Sequence, residues 1–600
     1  MYAFVTLLWA VDDPKAAATA AKWAQRLVVA PGRWESLLTT EGAMVFAQPP
    51  TDPGLRCYVL PEKAGIVLGQ LFAADLSKAS LESIDEIDER AAREIIRTGG
   101  RHLVRNYWGA YVAVLADRQA GCGYVIRDCS GKIPCYYRRA RDVTIVFSDS
   151  GDLAPFELPV PTVDWSYLAA FIYSSQLQVR SCAVREDKEL LVGERLRVQG
   201  GCESQTSIWD PREICRERWL DRYEDAVVAL REVAQRCIDS WAGIYDEAIL
   251  LGLSGGFDSA AVLGVLSQSP ARPRIHCINQ YSSDAQGDER KYARAGALRA
   301  GVPLAEVPIE SAADQFDSRL FRAPRTSKPS INELFRFLEI ELINRIAAET
   351  GARSLWTGQG GDHIFLQTTG ASSAGDYLDI RGLRPGFITA VRDAAHLSKQ
   401  PYWSVLQSAY SRRRDISDAL ARKPCFVNVA ALPGNVDDYV LSPWGTDAED
   451  LPRGKWMQIR FLAEVANRHR PIARLERAPQ HHPLLSQPLV EVCLQIPTYL
   501  LLRGGRERAL AREAFANQVP REILRRHDKG STLAHATELV RRSEPFLREL
   551  LLGGLLAENN VIDRKELESY ILRGQPYREE HLLPLLACIA AEVCVRKYAH

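Results

Sequence analysis

The chain has 600 residues, too many for one hydrophobic core, so at least two domains are expected. Its 75 basic and 75 acidic side chains cancel, which removes a global basic field that would draw it to nucleic acid. With 46% hydrophobic and 25% charged residues it has the make-up of a globular chain, and its 13 cysteines form no C-x-x-C pair, which argues against structural zinc and suits a reducing compartment. The longest apolar run near the end, Leu582–Val595, is broken by Pro584 and Glu592 and is too short to cross a bilayer. Met1–Val11 lacks a basic lead-in and runs into Asp12-Asp13-Pro14, so it reads as a strand rather than a signal peptide. A cytoplasmic protein is expected, with neither membrane nor nucleic acid as partner.

Residues 1 to about 210 read as mostly β. Runs at Gly65–Leu71, Tyr107–Leu115, Gly123–Arg127 and Val143–Phe147 alternate or are apolar, with turn residues between them. One helix is expected over Ser83–Arg97. The same part contains the stretch Arg127-Asp128-Cys129-Ser130-Gly131-Lys132-Ile133-Pro134-Cys135-Tyr136-Tyr137, followed by Val146-Phe147-Ser148-Asp149. Gly200-Gly201 and Trp209-Asp210-Pro211 mark a boundary, which divides the chain into 1–215 and 216–600.

The second part begins with helical periodicity over Tyr223–Trp241 and a buried strand, Ala248–Leu251. Then comes Leu253-Ser254-Gly255-Gly256-Phe257-Asp258-Ser259-Ala260, followed by an apolar helix start. A strand, a Gly-rich turn and a helix N-terminus make an anion site, because unpaired N–H groups and the helix dipole both face the turn. Ser254 and Ser259 can add hydroxyl donors. Asp258 would repel a bare phosphate, and makes sense if a divalent cation sits between them. No Lys follows these glycines, so this is not a Walker loop.

Further strands are expected at Arg274–Asn279, Val302–Val307 and Ser354–Thr357, with helices opening at Asp288 and spanning Asn332–Glu349. This alternation implies a parallel sheet with its ligand at the strand C-termini. The last of these strands ends in Thr357-Gly358-Gln359-Gly360-Gly361-Asp362-His363-Ile364-Phe365, a second Gly-rich turn with one Asp. Two such turns can face each other across a nucleotide, with Asp258 and Asp362 holding one Mg²⁺. Taken alone, Asp362 would equally serve as a helix cap. Residues 366–450 suggest helices and mobile loops, and include the run Arg412-Arg413-Arg414. Residues 452–600 read as helical, with helices at Val490–Ile496 and Glu507–Ala516 and a basic stretch ending in Lys529-Gly530.

Ser254-Gly255-Gly256-Phe257-Asp258-Ser259 resembles the pyrophosphate loop of N-type ATP pyrophosphatases. The hairpin Arg127–Tyr137 resembles that of the glutaminase domain of asparagine synthetases. Pro483-Leu484-Leu485…Leu489-Val490-Glu491, Arg503-Gly504-Gly505-Arg506 and Pro520…Lys529-Gly530 are similar to the tail of the same superfamily. The resemblance implies an α+β, Ntn-type glutaminase-like sandwich, then an α/β synthetase domain with a parallel sheet and pyrophosphate loop, and a helical C-terminal part. A working glutaminase carries Cys directly after the initiator Met. Tyr2 stands there, and its phenol cannot replace a thiolate, so the first domain is expected to be a relic without that activity.

Within the superfamily the chain most resembles lasso-peptide macrolactam synthetases. Gly360-Gly361-Asp362-His363-Ile364-Phe365 matches their G-G-D-H-I-F, the nucleophilic Cys is missing, and Gln359 stands where asparagine synthetases carry Glu and β-lactam synthetases Tyr. The resemblance implies ATP and Mg²⁺ as cofactors and a linear precursor peptide as substrate, delivered with the help of a leader peptidase and a leader-binding protein. It implies pyrophosphate binding by Ser254, Gly255, Gly256 and Ser259, and nucleoside contacts from Leu253, Asn279 and Gly358. Mg²⁺ would bind Asp258 and Asp362, and Lys529 would neutralise charge on the phosphates and the reacting carboxyl. Gln359 cannot act as a base; His363 is adjacent and either serves or is packed. Rival readings are an ammonia-fed asparagine synthetase, a β-lactam synthetase and a peptide-binding scaffold.

Overall fold

The computed structural model describes residues 3–50, 52, 54–74, 83–175, 177, 179–245, 248–271, 273–281, 288–309, 315–367, 371–410, 424–436, 439, 442–445, 450–468, 475–526, 533–572 and 579–598. The N-terminal part stacks two antiparallel sheets of six strands. One runs, in spatial order, Lys188–Glu189, Tyr136–Ala140, Val143–Phe147, Phe4–Leu8, Ala43–Ala47 and Glu35–Thr40. The other runs Cys202–Ser207, Glu194–Gln199, Cys122–Arg127, Tyr107–Asp117, Gly65–Ala73 and Arg56–Val59. Val45, Leu68, Val112, Val125 and Val146 fill the space between them. Helix Pro14–Val29 covers the outer face of the first sheet through Trp23 and Leu27. The second sheet packs its outer face on helices of the following half, which is why Tyr107–Asp117 is apolar on both sides.

Two helices differ from the sequence expectation. Pro14–Val29 was not foreseen, although Asp13 caps it by accepting from Lys15 and Ala16 N. The helix expected over Ser83–Arg97 starts only at Glu89, because Asp88 caps it through Ala91 N at 2.7 Å, while Ser83 bridges to Phe72.

The hairpin after Arg127 owes its residue types to folding. The Arg127 guanidinium is buried and donates to the carbonyls of Ile133, Gly131 and Leu190 and to Glu189 Oε1 at 2.9 Å. Asp128 accepts from Tyr111 N at 2.6 Å and Gly131 N at 2.8 Å. The other oxygen of Glu189 takes Lys328 Nζ at 2.5 Å, so a residue of the second half completes a buried triad with the first.

The second half holds a five-stranded parallel sheet, in spatial order Leu304–Pro308, Arg274–Tyr281, Ala248–Gly252, Ala352–Trp356 and Gln480–His481. The last strand was not foreseen: it has two residues, too few to carry a periodic signal, and is held by pairing with Leu355 and Trp356. Helix Phe257–Leu266 is buried along its whole length, and helix Ile331–Thr350 ends at Gly351 with φ 71°. Three helices, Ser372–Arg381, Gly386–Ser398 and Tyr402–Tyr410, follow the second Gly turn; the run Arg412–Arg414 lies outside the described residues. The C-terminal part is helical, ending in Glu579–Arg596. No helix among the described residues is long and apolar enough to cross a membrane.

The two halves meet along helix Gln487–Gln495. Gln487 Nε2 donates to Val104 O at 3.0 Å and Trp209 Nε1 to Glu491 Oε1 at 2.8 Å, while Trp241, of the second half itself, donates from Nε1 to Ser486 Oγ at 3.0 Å. Beside them Lys132 Nζ pairs with buried Asp52 at 3.0 Å, and the Tyr245 hydroxyl donates to the same carboxylate at 3.2 Å. Burial alone would lower the Lys132 ammonium, but Asp52 holds it above its usual value.

His481 sits at this seam, 4.2 Å from the Trp241 ring and 5.1 Å from Trp356. Burial, with the Lys132 charge behind it, holds its imidazole well below the ordinary value, so it is neutral in the folded protein. The unfolded chain binds a proton there below about pH 6.5 and the folded chain does not. Stability is therefore expected to fall as pH drops below that value. His481→Phe should remove up to ~1.4 kcal/mol per pH unit of that slope, measured by urea unfolding between pH 5 and 7.

Candidate active site

The strands Ala248–Gly252 and Ala352–Trp356 are parallel neighbours, so both Gly turns leave the sheet at the same edge. In the first turn, Gly255 takes φ 79° and Gly256 caps helix Phe257–Leu266, placing Asp258 in its first turn. The Ser254 and Ser259 hydroxyls lie 3.2 Å apart, and Ser254 Oγ accepts from Gly256 N at 3.4 Å. The second turn passes into the short helix Gly361–Ile364, capped by Gly360 rather than by Asp362. Asp362 is therefore released from a capping role and its carboxylate is left for other partners.

The two turns touch. A Cβ on Gly358 would lie 2.3 Å from Ser259 N, and one on Gly361 would lie 2.4 Å from Asp258 Cγ. Only glycine permits this approach, and the approach is what brings the two aspartates together. Between them sits a guanidinium that sequence reasoning missed. Arg508 Nε is 3.2 Å from Asp258 Oδ1, its Nη2 pairs with Asp362, and its Nη1 lies 2.7 Å from Glu507.

A cavity of about 560 Å³ opens over the turns. Ser254, Gly256, Asp258, Ser259, Gly358, Gln359, Asp362 and His363 lie on its wall, together with Thr357, Arg508, Arg512 and Arg526. Leu253, Gly255 and Asn279 do not. Asn279 is 1% exposed and donates to Leu253 O at 2.7 Å, which fixes the base of the first turn from below. Lys529 lies outside the described residues, as does Tyr2. The wall is rich in cations held in place. Arg512 donates to the Ile523 and Leu524 carbonyls at 3.1 and 3.0 Å, and burial lowers it to about 10. Arg526 pairs with Glu289 at 2.5 Å and donates to Gly255 O at 3.3 Å. Thr357 Oγ1 is 2.7 Å from His482 Nδ1 and accepts from Gln359 N at 3.2 Å, which sets the angle of the second turn.

Helix N-terminal N–H groups, two hydroxyls and fixed guanidinium groups suit a polyphosphate. The donor set also fits Mg²⁺, which takes one or two protein carboxylates and completes its shell with water and phosphate oxygens. Asp258 and Asp362 already share one cationic partner, so a cation between them is sterically and electrostatically accommodated.

Arg508 escaped detection because a helix was expected over Glu507–Ala516. Helix Ala509–Ala514 starts later, and Arg508 precedes it with a left-handed backbone, φ 51°. The signal present in the sequence was the density of basic residues at Arg506, Arg508 and Arg512.

Because the turns are in contact, a single methyl should separate them. Gly358→Ala and Gly361→Ala are each expected to reduce ATP turnover to AMP by about a hundredfold, the usual cost of a misplacement near 1 Å. Gly434→Ala, whose added carbon meets nothing within 4 Å, should be neutral in the same assay.

No curated relative matches significantly. Among solved structures it is similar to the allosteric regulatory enzyme of purine biosynthesis, with 10% identity and TM-score 0.20 over 56% of this chain and 88% of that one. It is similar at the same levels to the glutamine phosphoribosylpyrophosphate amidotransferase from B. subtilis complexed with ADP and GMP, over 74% of this chain and 99% of that one. Likenesses this weak do not assign the N-terminal sandwich to a fold family. The family profile described as asparagine synthase matches residues 230–593, well over half of the chain and all of the cavity described above. The chain belongs to the asparagine synthase family, ATP-dependent ligases that form amides with release of AMP and pyrophosphate.

Proposed function

We propose that the chain is a macrolactam synthetase of the lasso-peptide type, acting in the cytoplasm on a linear precursor peptide freed of its leader. The stretch Gly360–Phe365 carries this reading: it matches the cyclases' G-G-D-H-I-F and forms the turn that presents Asp362 and His363 to the cavity. Tyr2 in place of a nucleophilic Cys supports it, because a degenerate glutaminase-like sandwich supplies no ammonia and the amine must come from the substrate. A leader peptidase and a leader-binding protein would deliver the peptide.

In the first step, a side-chain carboxylate of an Asp or Glu in the peptide attacks the α-phosphorus of ATP, and pyrophosphate leaves. The hydroxyls of Ser254 and Ser259 and the N–H groups of the first turn receive the departing charge. Arg512 and Arg526, fixed by backbone carbonyls and Glu289, add positive potential without reorganising. Asp258 and Asp362 would hold Mg²⁺, which when bound neutralises phosphate charge.

In the second step, the peptide's N-terminal amine attacks the acyl-adenylate carbonyl and AMP leaves. An α-amine has an unperturbed value near 8, so an appreciable fraction is neutral without a strong base. Gln359 cannot take the proton; His363, on the same wall, can. Lys529 would neutralise the tetrahedral oxyanion. Holding both ends of one chain makes the closure intramolecular, which supplies roughly seven kcal/mol or more at best.

The test combines purified protein, Mg-ATP and the leader-free precursor encoded beside its gene. AMP release matched by loss of one water from the peptide is the expected result. AMP and asparagine formed from free Asp and ammonia, with the peptide unchanged, would refute the cyclase reading. Asp258→Asn should depress AMP release on the order of a thousandfold.

A further inference from the structure

Arg508 holds a conformation that costs an arginine free energy, and two backbone bonds enforce it. Its N–H donates to Leu366 O at 2.9 Å, just past the second Gly turn, and its carbonyl accepts from Arg512 N at 2.9 Å. The result is a side chain only 3% exposed, with its guanidinium among Asp258, Asp362 and Glu507. The atoms it meets on the two aspartates are Oδ1 of each. A metal ion takes such oxygens at about 2.0–2.1 Å and leaves no space for a guanidinium on the same lone pairs.

The cavity's other arginines are anchored differently. Arg512 and Arg526 pair with Glu507 and Glu289, but each also donates to backbone carbonyls, which cannot be taken over by a ligand. The side-chain bonds of Arg508 among the described residues go to carboxylates. A planar guanidinium suits a phosphate as well as a carboxylate, so an arriving polyphosphate offers it an equivalent partner. Arg508 offsets the repulsion between Asp258 and Asp362, which the contact of the two turns holds close together.

We propose that Arg508 is the counter-ion of the Asp258–Asp362 pair in the nucleotide-free enzyme, and that it cedes the two carboxylates to the metal only when a nucleotide's phosphates take its place as partner. This rests on the assignment of the cavity to Mg-ATP. Free divalent metal must compete with a tethered cation and binds weakly. Metal and nucleotide therefore enter as one unit, and the two Gly turns stay together when both are absent.

The experiment measures Mn²⁺ binding to the full-length protein by electron paramagnetic resonance, with and without a non-hydrolysable ATP analogue. The wild type should bind Mn²⁺ at least about tenfold more tightly with the analogue than alone. Arg508→Met should bind Mn²⁺ alone at least about tenfold more tightly than the wild type does, and Mn²⁺ should raise its melting temperature more than that of the wild type. If Arg508→Met folds only when Mn²⁺ is supplied, that rescue supports the same conclusion. Equal or weaker Mn²⁺ binding by Arg508→Met overturns the proposal, as does a wild type that binds Mn²⁺ equally well with and without the analogue. Those outcomes leave the ATP reading standing. A wild type that binds no Mn²⁺ even with the analogue, and releases no AMP, overturns both.

Discussion

The contact between the two Gly turns is the constraint on which the site depends. Gly358 lies against Ser259 N and Gly361 against Asp258, with no space for a side chain on either. Two parallel neighbouring strands bring the turns to one edge, and the absence of two side chains lets them touch there. That contact sets the two aspartates beside one guanidinium. It also concentrates negative charge, and the structure meets that charge with Arg508 on a third segment, tied back to the second turn through Leu366. Strand order, glycine placement and the strained arginine are thus one arrangement.

Several motif residues do structural rather than chemical work. Arg127 and Asp128 close their hairpin by binding its backbone, and Gln487 and Glu491 fasten the second half to the first. A pattern shared with a family identifies a fold as readily as a reaction. Which of the two a residue serves is decided by where its hydrogen bonds go.

Much of this was legible in the sequence. The first strands, the parallel sheet and both turns follow from periodicity and Gly spacing, and Val143–Phe147 is found with the bounds expected. What was not legible depends on tertiary context. Gln480–His481 is a strand only because Leu355 and Trp356 offer free edges. Arg508 carries no mark of its conformation, since positive φ is announced in sequence by Gly or Asn and is here imposed by partners. Asn279, expected beside the nucleoside, braces Leu253 through its amide N–H; an amide's two-sided hydrogen bonding does not reveal in sequence which neighbour it will choose.

The triad of Arg127, Glu189 and Lys328 bears on how such a chain can evolve. Each of the three side chains is at most 2% exposed, and one carboxylate serves cations from both halves. Deleting the first half would take the Glu189 carboxylate from Lys328 and uncover the apolar face that the second sheet protects. Neither half can therefore be trimmed away without cost to the other, and the two must be inherited together.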